Sequence, residues 1–219
     1  MSDAEPQMLA ALQHAAKGLA LELHPPQIDA LLQYLALLQR WNGTYNLTSV
    51  RDPAQMLNLH LVDCLAVMNP LRRQLASQAT GRVLDVGSGA GLPGVVIATL
   101  HPALDVWCID TVGKKAAFIQ QVAAELALKN LHAVHGRVEE WQAAAFDIVT
   151  SRAFASLPDF VAQTQHHLAP TGVWLAMKGK HPAIELTELP PAIDVFHVEP
   201  LIVPGLDAER CLIWMKPRR

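Results

Sequence analysis

At 219 residues, 51% of them hydrophobic, the chain is long enough for one sizeable core and too apolar to be disordered. A formal charge of −3 excludes a global field that would draw it to a polyanion, so any nucleic-acid contact has to come from local basic patches. No apolar run approaches the roughly 20 residues that cross a bilayer, and Asp3 and Glu5 stand where a secretory signal would be basic, so a cytoplasmic protein without membrane contact is expected.

The chain opens with helical patterns. One runs from about Gln7 to Leu21. In the next, Ile28, Leu31, Leu32, Leu35 and Leu38 repeat at helical spacing after Pro25-Pro26, with Asn42-Gly43 as the stop. A third follows Asp52-Pro53, where Met56, Leu59, His60, Asp63 and Val67 return to related faces. Residues 1–78 therefore read as a helical segment packed on a second unit, 79–219.

From Gly81 short apolar runs alternate with helices, the mark of βαβ units and a parallel sheet. Strands are expected at Arg82–Gly87, Asp105–Asp110, Leu131–His135, Phe146–Ser151, Val173–Lys178, Val195–Glu199 and Cys211–Lys216. Helices are expected near Gly94–Leu100, Lys114–Leu126, Ser156–Leu168 and Pro182–Leu189, with Ser156 as an N-cap and Gly172 closing the turn before the fifth strand. Only a loop with Pro204-Gly205 separates the last two strands, so they should form an antiparallel hairpin. A seven-stranded, mostly parallel sheet ending in such a hairpin, behind a helical extension, is the layout of the Rossmann-like class I S-adenosylmethionine-dependent methyltransferase fold.

Cys64, Cys108 and Cys211 lie far apart among apolar neighbours and read as buried reduced thiols. No metal site is expected. His60 and Asp63 share a helix face, but two ligands do not make a site; a mutual bond holding helix to sheet is the plainer alternative.

The chemistry concentrates at Arg82-Val83-Leu84-Asp85-Val86-Gly87-Ser88-Gly89-Ala90-Gly91, a buried strand running into a glycine turn. Glycines are needed where main chain turns tightly and approaches a ligand without a Cβ in the way. Asp85 can orient the turn or reach the amino-acid part of a cofactor. A second frame, Gly89-Ala90-Gly91-Leu92-Pro93-Gly94, matches the dinucleotide fingerprint, but it strands Asp85 inside a sheet and leaves Gly87 unexplained. Asp110, ending the second strand, can accept both hydroxyls of an adenosine ribose, or cap the helix at Lys114. After the third strand, Arg137-Val138-Glu139 is placed to border adenine, Val138 on the ring and Glu139 at its amino group; a solvated helix start is the alternative. After the fourth, Ser151-Arg152-Ala153-Phe154 aims Arg152 at the reaction centre and lacks the Asn/Asp-Pro-Pro-aromatic clamp used on exocyclic amines.

Jointly these residues resemble the bacterial 16S ribosomal RNA 7-methylguanosine methyltransferase family, also called glucose-inhibited division protein B. The resemblance runs from about Trp41 to Lys216 and rests on Trp41-Asn42, Tyr45 to Asp52, His60-Leu61-Val62-Asp63, the glycine turn extended to Gly94, Lys114-Lys115, Arg137 to Glu140, Ser151 to Phe154 and Lys178-Gly179. It departs at Cys64, where the family commonly has Ser. It implies S-adenosyl-L-methionine as cofactor and methyl transfer to N7 of a guanine in the decoding-centre loop of 16S ribosomal RNA, within the small ribosomal subunit or its assembly intermediate. It carries over Gly87, Leu92, Val138, Glu139 and Arg152 as cofactor contacts, beside Asp85, Gly89, Gly91 and Asp110 from the turn and second strand. Arg152 is the expected catalytic residue, Arg137, Lys178 and Arg210 are the expected RNA contacts, and a monomer is expected. On this resemblance Arg152, Lys178, Lys180 and Arg210, with the rings of Tyr45 and Phe154, are candidate RNA readers. Guanine N7 has an in-plane lone pair and no proton, so it can attack a sulfonium methyl without a general base, given placement within roughly 3–3.5 Å.

Overall fold

The computed structural model describes residues 4–75 and 80–218. Helices α1 (Ala4–Gly18), α2 (Pro25–Tyr45), α3 (Pro53–Met56), α4 (Asp63–Leu65) and α5 (Met68–Gln74) come first, with a π-helical turn, Leu57–Val62, joining α3 to α4. Then follow β1 (Gly81–Val86), α6 (Gly94–Leu100), β2 (Leu104–Asp110), α7 (Gly113–Glu125), β3 (Leu131–His135) and β4 (Phe146–Arg152). The chain closes with α8 (Leu157–Thr164), β5 (Leu168–Lys178), α9 (Ala183–Thr187), β6 (Ile193–Pro200) and β7 (Cys211–Pro217).

The seven strands form one sheet, ordered β3-β2-β1-β4-β5-β7-β6. β1 to β5 are parallel, and β7 runs antiparallel between β5 and β6. β1 and β4 are flanked on both sides and read as nearly unbroken apolar runs because helices cover both faces. Successive side chains of β1 supply different cores. Val83 joins Leu31, Leu61, Leu65, Ile97 and Phe118 on the face toward the N-terminal helices, and Leu84 joins Val149, Phe160 and Trp174 on the other. The order of strands reverses between β1 and β4, so a crevice opens beyond the carboxyl ends of these two strands.

Four elements depart from expectation. α2 runs through Asn42-Gly43 to Tyr45, because the buried Asn42 side chain serves the loop instead of ending the helix. Its Oδ1 accepts from the Thr48 amide at 2.9 Å and its Nδ2 donates to the Val50 carbonyl at 3.1 Å. The stop is Asn46, at φ 49°, a left-handed position that asparagine tolerates. The third helical segment is not one regular helix but is widened by the π turn. Strand β5 begins at Leu168, and Gly172 lies inside it. Leu168 stands opposite Phe146 and Val173 opposite Ile148, so β5 bulges, and a Cβ on Gly172 would lie 2.8 Å from the Phe146 carbonyl oxygen. Helix α8 stops at Thr164, whose hydroxyl accepts from Trp174 Nε1 at 2.9 Å, and a 3₁₀ turn, Gln165–His167, leads into β5. Its start is Ser156, which accepts from the Asp159 amide at 3.2 Å.

No helix among the described residues is long and apolar enough to cross a membrane. Replacing Asn42 by Ala should leave the Thr48 amide and the Val50 carbonyl without partners at a part-buried site. The expected loss is about 1–3 kcal/mol, read as a lower urea midpoint at unchanged m-value.

Candidate active site

β1 delivers the chain into a turn in which Gly87, Gly89 and Gly91 have φ of +64°, +58° and +86°. Four bonds hold it. The amide of Gly87 donates to the Ile109 carbonyl at 2.9 Å, and the Gly89 amide donates to Asp110 Oδ2 at 2.9 Å. The Gly94 amide donates to Asp85 Oδ2 at 2.8 Å, and the Tyr34 hydroxyl donates to the Ala90 carbonyl at 2.9 Å. An ideal Cβ on Gly89 would meet nothing within 4 Å, so the main chain here faces open space.

Two cavities adjoin across Gly87 and Ala153. The smaller, of about 270 Å³, is lined by Asp110, Val112, Lys115, Val138, Glu139 and Phe154 among others. The larger, of about 590 Å³, is lined by the turn, Leu92, Arg152, Lys178 and Arg210, with Thr48, Leu59, His60 and Asp63 from the N-terminal segment. Ala153 holds φ +55°, a left-handed position that costs a residue with a Cβ about 1–2 kcal/mol, where both cavities meet.

Asp110 is bound through both carboxylate oxygens and also borders a cavity. Its Oδ1 accepts from the Val112 amide at 2.9 Å, tying it to the start of α7, and the same residue lines the smaller cavity with Lys115 Nζ 3.6 Å from its carboxylate. Val138 is buried in that cavity's wall. Glu139 lines it too, with its carboxylate bound by Arg137, which also lies 3.5 Å from Glu140. Arg137 therefore sits at the smaller cavity, away from Lys178 and Arg210.

Two residues expected as cofactor contacts line neither cavity. Asp85 is fully buried within β1, its Oδ2 engaged by Gly94 and its Oδ1 without a partner. Burial pushes its carboxyl up to about 7. An acid inside the sheet is thus no argument against the dinucleotide frame, since the start of α6 satisfies it. Gly91 is likewise turned inward, where a Cβ would lie 2.7 Å from Val95 Cγ2; it serves packing of α6.

In the larger cavity Arg152 Nη1 donates to the Leu59 carbonyl at 3.0 Å and to Asp63 Oδ2 at 3.2 Å. Arg210 Nε donates to Asp63 Oδ1 at 2.7 Å. His60 and Asp63 do not bond each other: Asp63 takes the two arginines, and His60 Nε2 lies 2.9 Å from Thr48 Oγ1. Burial and the nearby Arg152 charge push the His60 imidazole below its usual pKa, so it is neutral at pH 7. Lys178 Nζ is committed to Glu185 at 2.7 Å and to the Ala155 carbonyl at 2.9 Å.

Tyr34, Thr48, the Leu59 carbonyl and Lys115 went unassigned in the sequence. Tyr34 sits on an apolar helix face like any core ring, and a carbonyl leaves no trace in a residue list. Thr48 and Lys115 lie inside the segments that carry the family resemblance, which is the one signal that points to them.

A model of the rRNA small subunit methyltransferase G family (GidB) matches residues 27–213. A ribosomal RNA small subunit methyltransferase G from Paracidovorax citrulli is 56% identical, covering 100% of this chain and 94% of its own length. One of the same name from Methylibium petroleiphilum is 59% identical, covering 93% and 92%. Among solved structures, a SAM-dependent methyltransferase from Aquifex aeolicus superposes with a TM-score of 0.56 at 16% identity, over 75% of this chain and 93% of its own. Another from Thiobacillus denitrificans, in complex with S-adenosyl-L-homocysteine, gives 0.51 at 13% identity over 69% and 90%. At these identities the two structures establish the fold alone.

The buried Asp85 carboxyl makes stability depend on pH. Folded, it keeps its proton up to about 7, whereas the unfolded chain releases it near 3.8. Its contribution is therefore full below the unfolded value and lost as pH rises through the folded one, at up to about 1.4 kcal/mol per pH unit. Asp85→Asn should gain stability relative to the parent between pH 5 and pH 8 in urea unfolding. A difference independent of pH would mean the carboxyl is not buried as described.

Proposed function

This chain belongs to the rRNA small subunit methyltransferase G family, and on that premise we propose that it methylates N7 of a guanine in the decoding-centre loop of 16S ribosomal RNA, with S-adenosyl-L-methionine as methyl donor. The observation that carries this reading is the junction of two cavities at Gly87 and Ala153, beside a glycine turn whose main chain at Gly89 faces open space.

The residues present suit the cofactor. The smaller cavity offers Asp110 for ribose hydroxyls and Val138, with Glu139 beside it, for adenine. The main chain at Gly87, which lines both cavities, and at Gly89, which faces open space, would hold the amino-acid end with Leu92 and Arg152. When bound, S-adenosylmethionine supplies an electrophilic methyl group on a cationic sulfur.

The larger cavity suits an acceptor that needs no deprotonation. Burial and Arg152 weaken His60 as a base and its Nε2 is taken by Thr48, while Asp63 is engaged by two guanidinium groups. Arg152 stays protonated at working pH, so it binds and positions instead of moving a proton. Placement is then the main source of acceleration. Arg210, Lys178 and Arg137 are the proposed phosphate contacts. The proposed setting is the cytoplasm, the proposed form a monomer, and the proposed substrate 16S ribosomal RNA in the small subunit or its assembly intermediate.

Gly89→Val strains a left-handed position and fills open space beside the cofactor, so S-adenosylmethionine binding by calorimetry should weaken at least about tenfold. Unchanged affinity would remove this turn from the cofactor site. Arg152→Ala should abolish methylation of 16S ribosomal RNA while the protein stays folded by circular dichroism; full activity would take Arg152 out of the site. Mass spectrometry of ribosomal RNA from cells lacking the protein should show loss of one 7-methylguanosine, and loss of a different methylated nucleoside would replace the proposed acceptor.

A further inference from the structure

Asp63 is 3% exposed, and it is the point where three separate parts of the chain converge. It comes from α4, Arg152 from β4, and Arg210 from the residue before β7. Each carboxylate oxygen takes one guanidinium, Oδ2 from Arg152 and Oδ1 from Arg210. Among the described residues Arg152 uses only Nη1 and Arg210 only Nε and Nη1, so further N–H donors of both remain at the 590 Å³ cavity that both line. Two guanidinium groups this close repel, and without the carboxylate between them nothing would keep both side by side.

The π turn before Asp63 belongs to the same device. In a regular α-helix the Asp63 amide would bond the Leu59 carbonyl, four residues back. Here it bonds the Asn58 carbonyl, and the Leu59 carbonyl accepts from Arg152 instead. One widened turn thus supplies two anchors for one arginine, and such turns are frequent at functional sites. Arg210 has a weaker hold: among the described residues its side chain has, besides Asp63, only the carbonyl of its neighbour Glu209 as partner.

We infer that Asp63 is a positioning residue for methyl transfer: its carboxylate fixes the Arg210 guanidinium beside Arg152, so that the pair meets the target nucleotide in one prepared arrangement. The inference rests on the proposed reaction with 16S ribosomal RNA. Arg152 keeps its Leu59 anchor when Asp63 is neutralised, whereas Arg210 is released into solvent. Cofactor binding and acceptor placement therefore separate in the variants.

The test compares Asp63→Asn, Arg210→Ala and the double variant in methylation of 16S ribosomal RNA, with cofactor affinity from calorimetry and folding from thermal melts. In Asp63→Asn, kcat should fall about a hundredfold, the usual cost of a small misplacement, with the cofactor Kd within about threefold of the parent. The double variant should be about as slow as Arg210→Ala alone, because both changes remove one arrangement. Losses that multiply in the double variant, or an Asp63→Asn enzyme with parental kcat, would overturn the inference. If Asp63→Asn does not fold, Arg210→Lys decides: it keeps the charge and loses the fork, so activity near that of Arg210→Ala supports positioning, and parental activity overturns it. Absence of methylation by the parent protein would instead overturn the proposed reaction.

Discussion

Three left-handed glycines in five residues make a loop that the unfolded chain has every reason to lose, since glycine gives up more freedom on folding than any other residue. The site exists because this loop is pinned from outside. Asp110 at the end of β2 takes the Gly89 amide, Asp85 within β1 takes the amide that opens α6, and Tyr34 reaches from α2 to the Ala90 carbonyl. Each pin is itself held by burial or by a second bond, as Asp110 is by the Val112 amide. Main chain is thereby left bare on the side that faces the cavities, and side chains do their holding from behind.

The helical extension shares in this arrangement. Tyr34 ties α2 to the turn, while Thr48, Leu59, His60 and Asp63 form one wall of the larger cavity. A single apolar core runs from Leu12, Leu31 and Leu61 through to Val83 and Val106 of the sheet. The wall can therefore carry charge without yielding: a buried carboxylate under two arginines needs rigid surroundings, and breaking such a cluster by removing one member costs more than the cluster contributes.

Much of this was legible because the residues concerned act through local rules. Alternating apolar runs and glycine turns announce β1 to β5 and the crevice they leave, and the short Leu201–Arg210 link forces the antiparallel ending. What escaped notice depends on contacts between distant segments. Asn42-Gly43 reads as a helix stop until Thr48 and Val50 are seen folded back onto Asn42. The π turn has no composition of its own. Asp85 reads either as a post for the turn or as a ligand, because carboxylates at strand ends usually face the crevice, and only the approach of Gly94 shows that it faces inward.

The charge of −3 raises the question of how such a chain meets RNA at all. Each proposed phosphate contact is already paired: Arg137 with Glu139, Lys178 with Glu185, Arg210 with Asp63. Paired cations project little field, so encounter with bulk RNA gains little from steering. What pairing provides is fixed direction, since a guanidinium held by a carboxylate presents its remaining donors at one angle. On the proposed reaction, selection falls on fit at the cavity, where a single exposed base would enter beside the glycine turn and duplex RNA would not fit. For that reaction, with one target nucleotide among very many, such rigidity is worth more than a strong attraction to every phosphate.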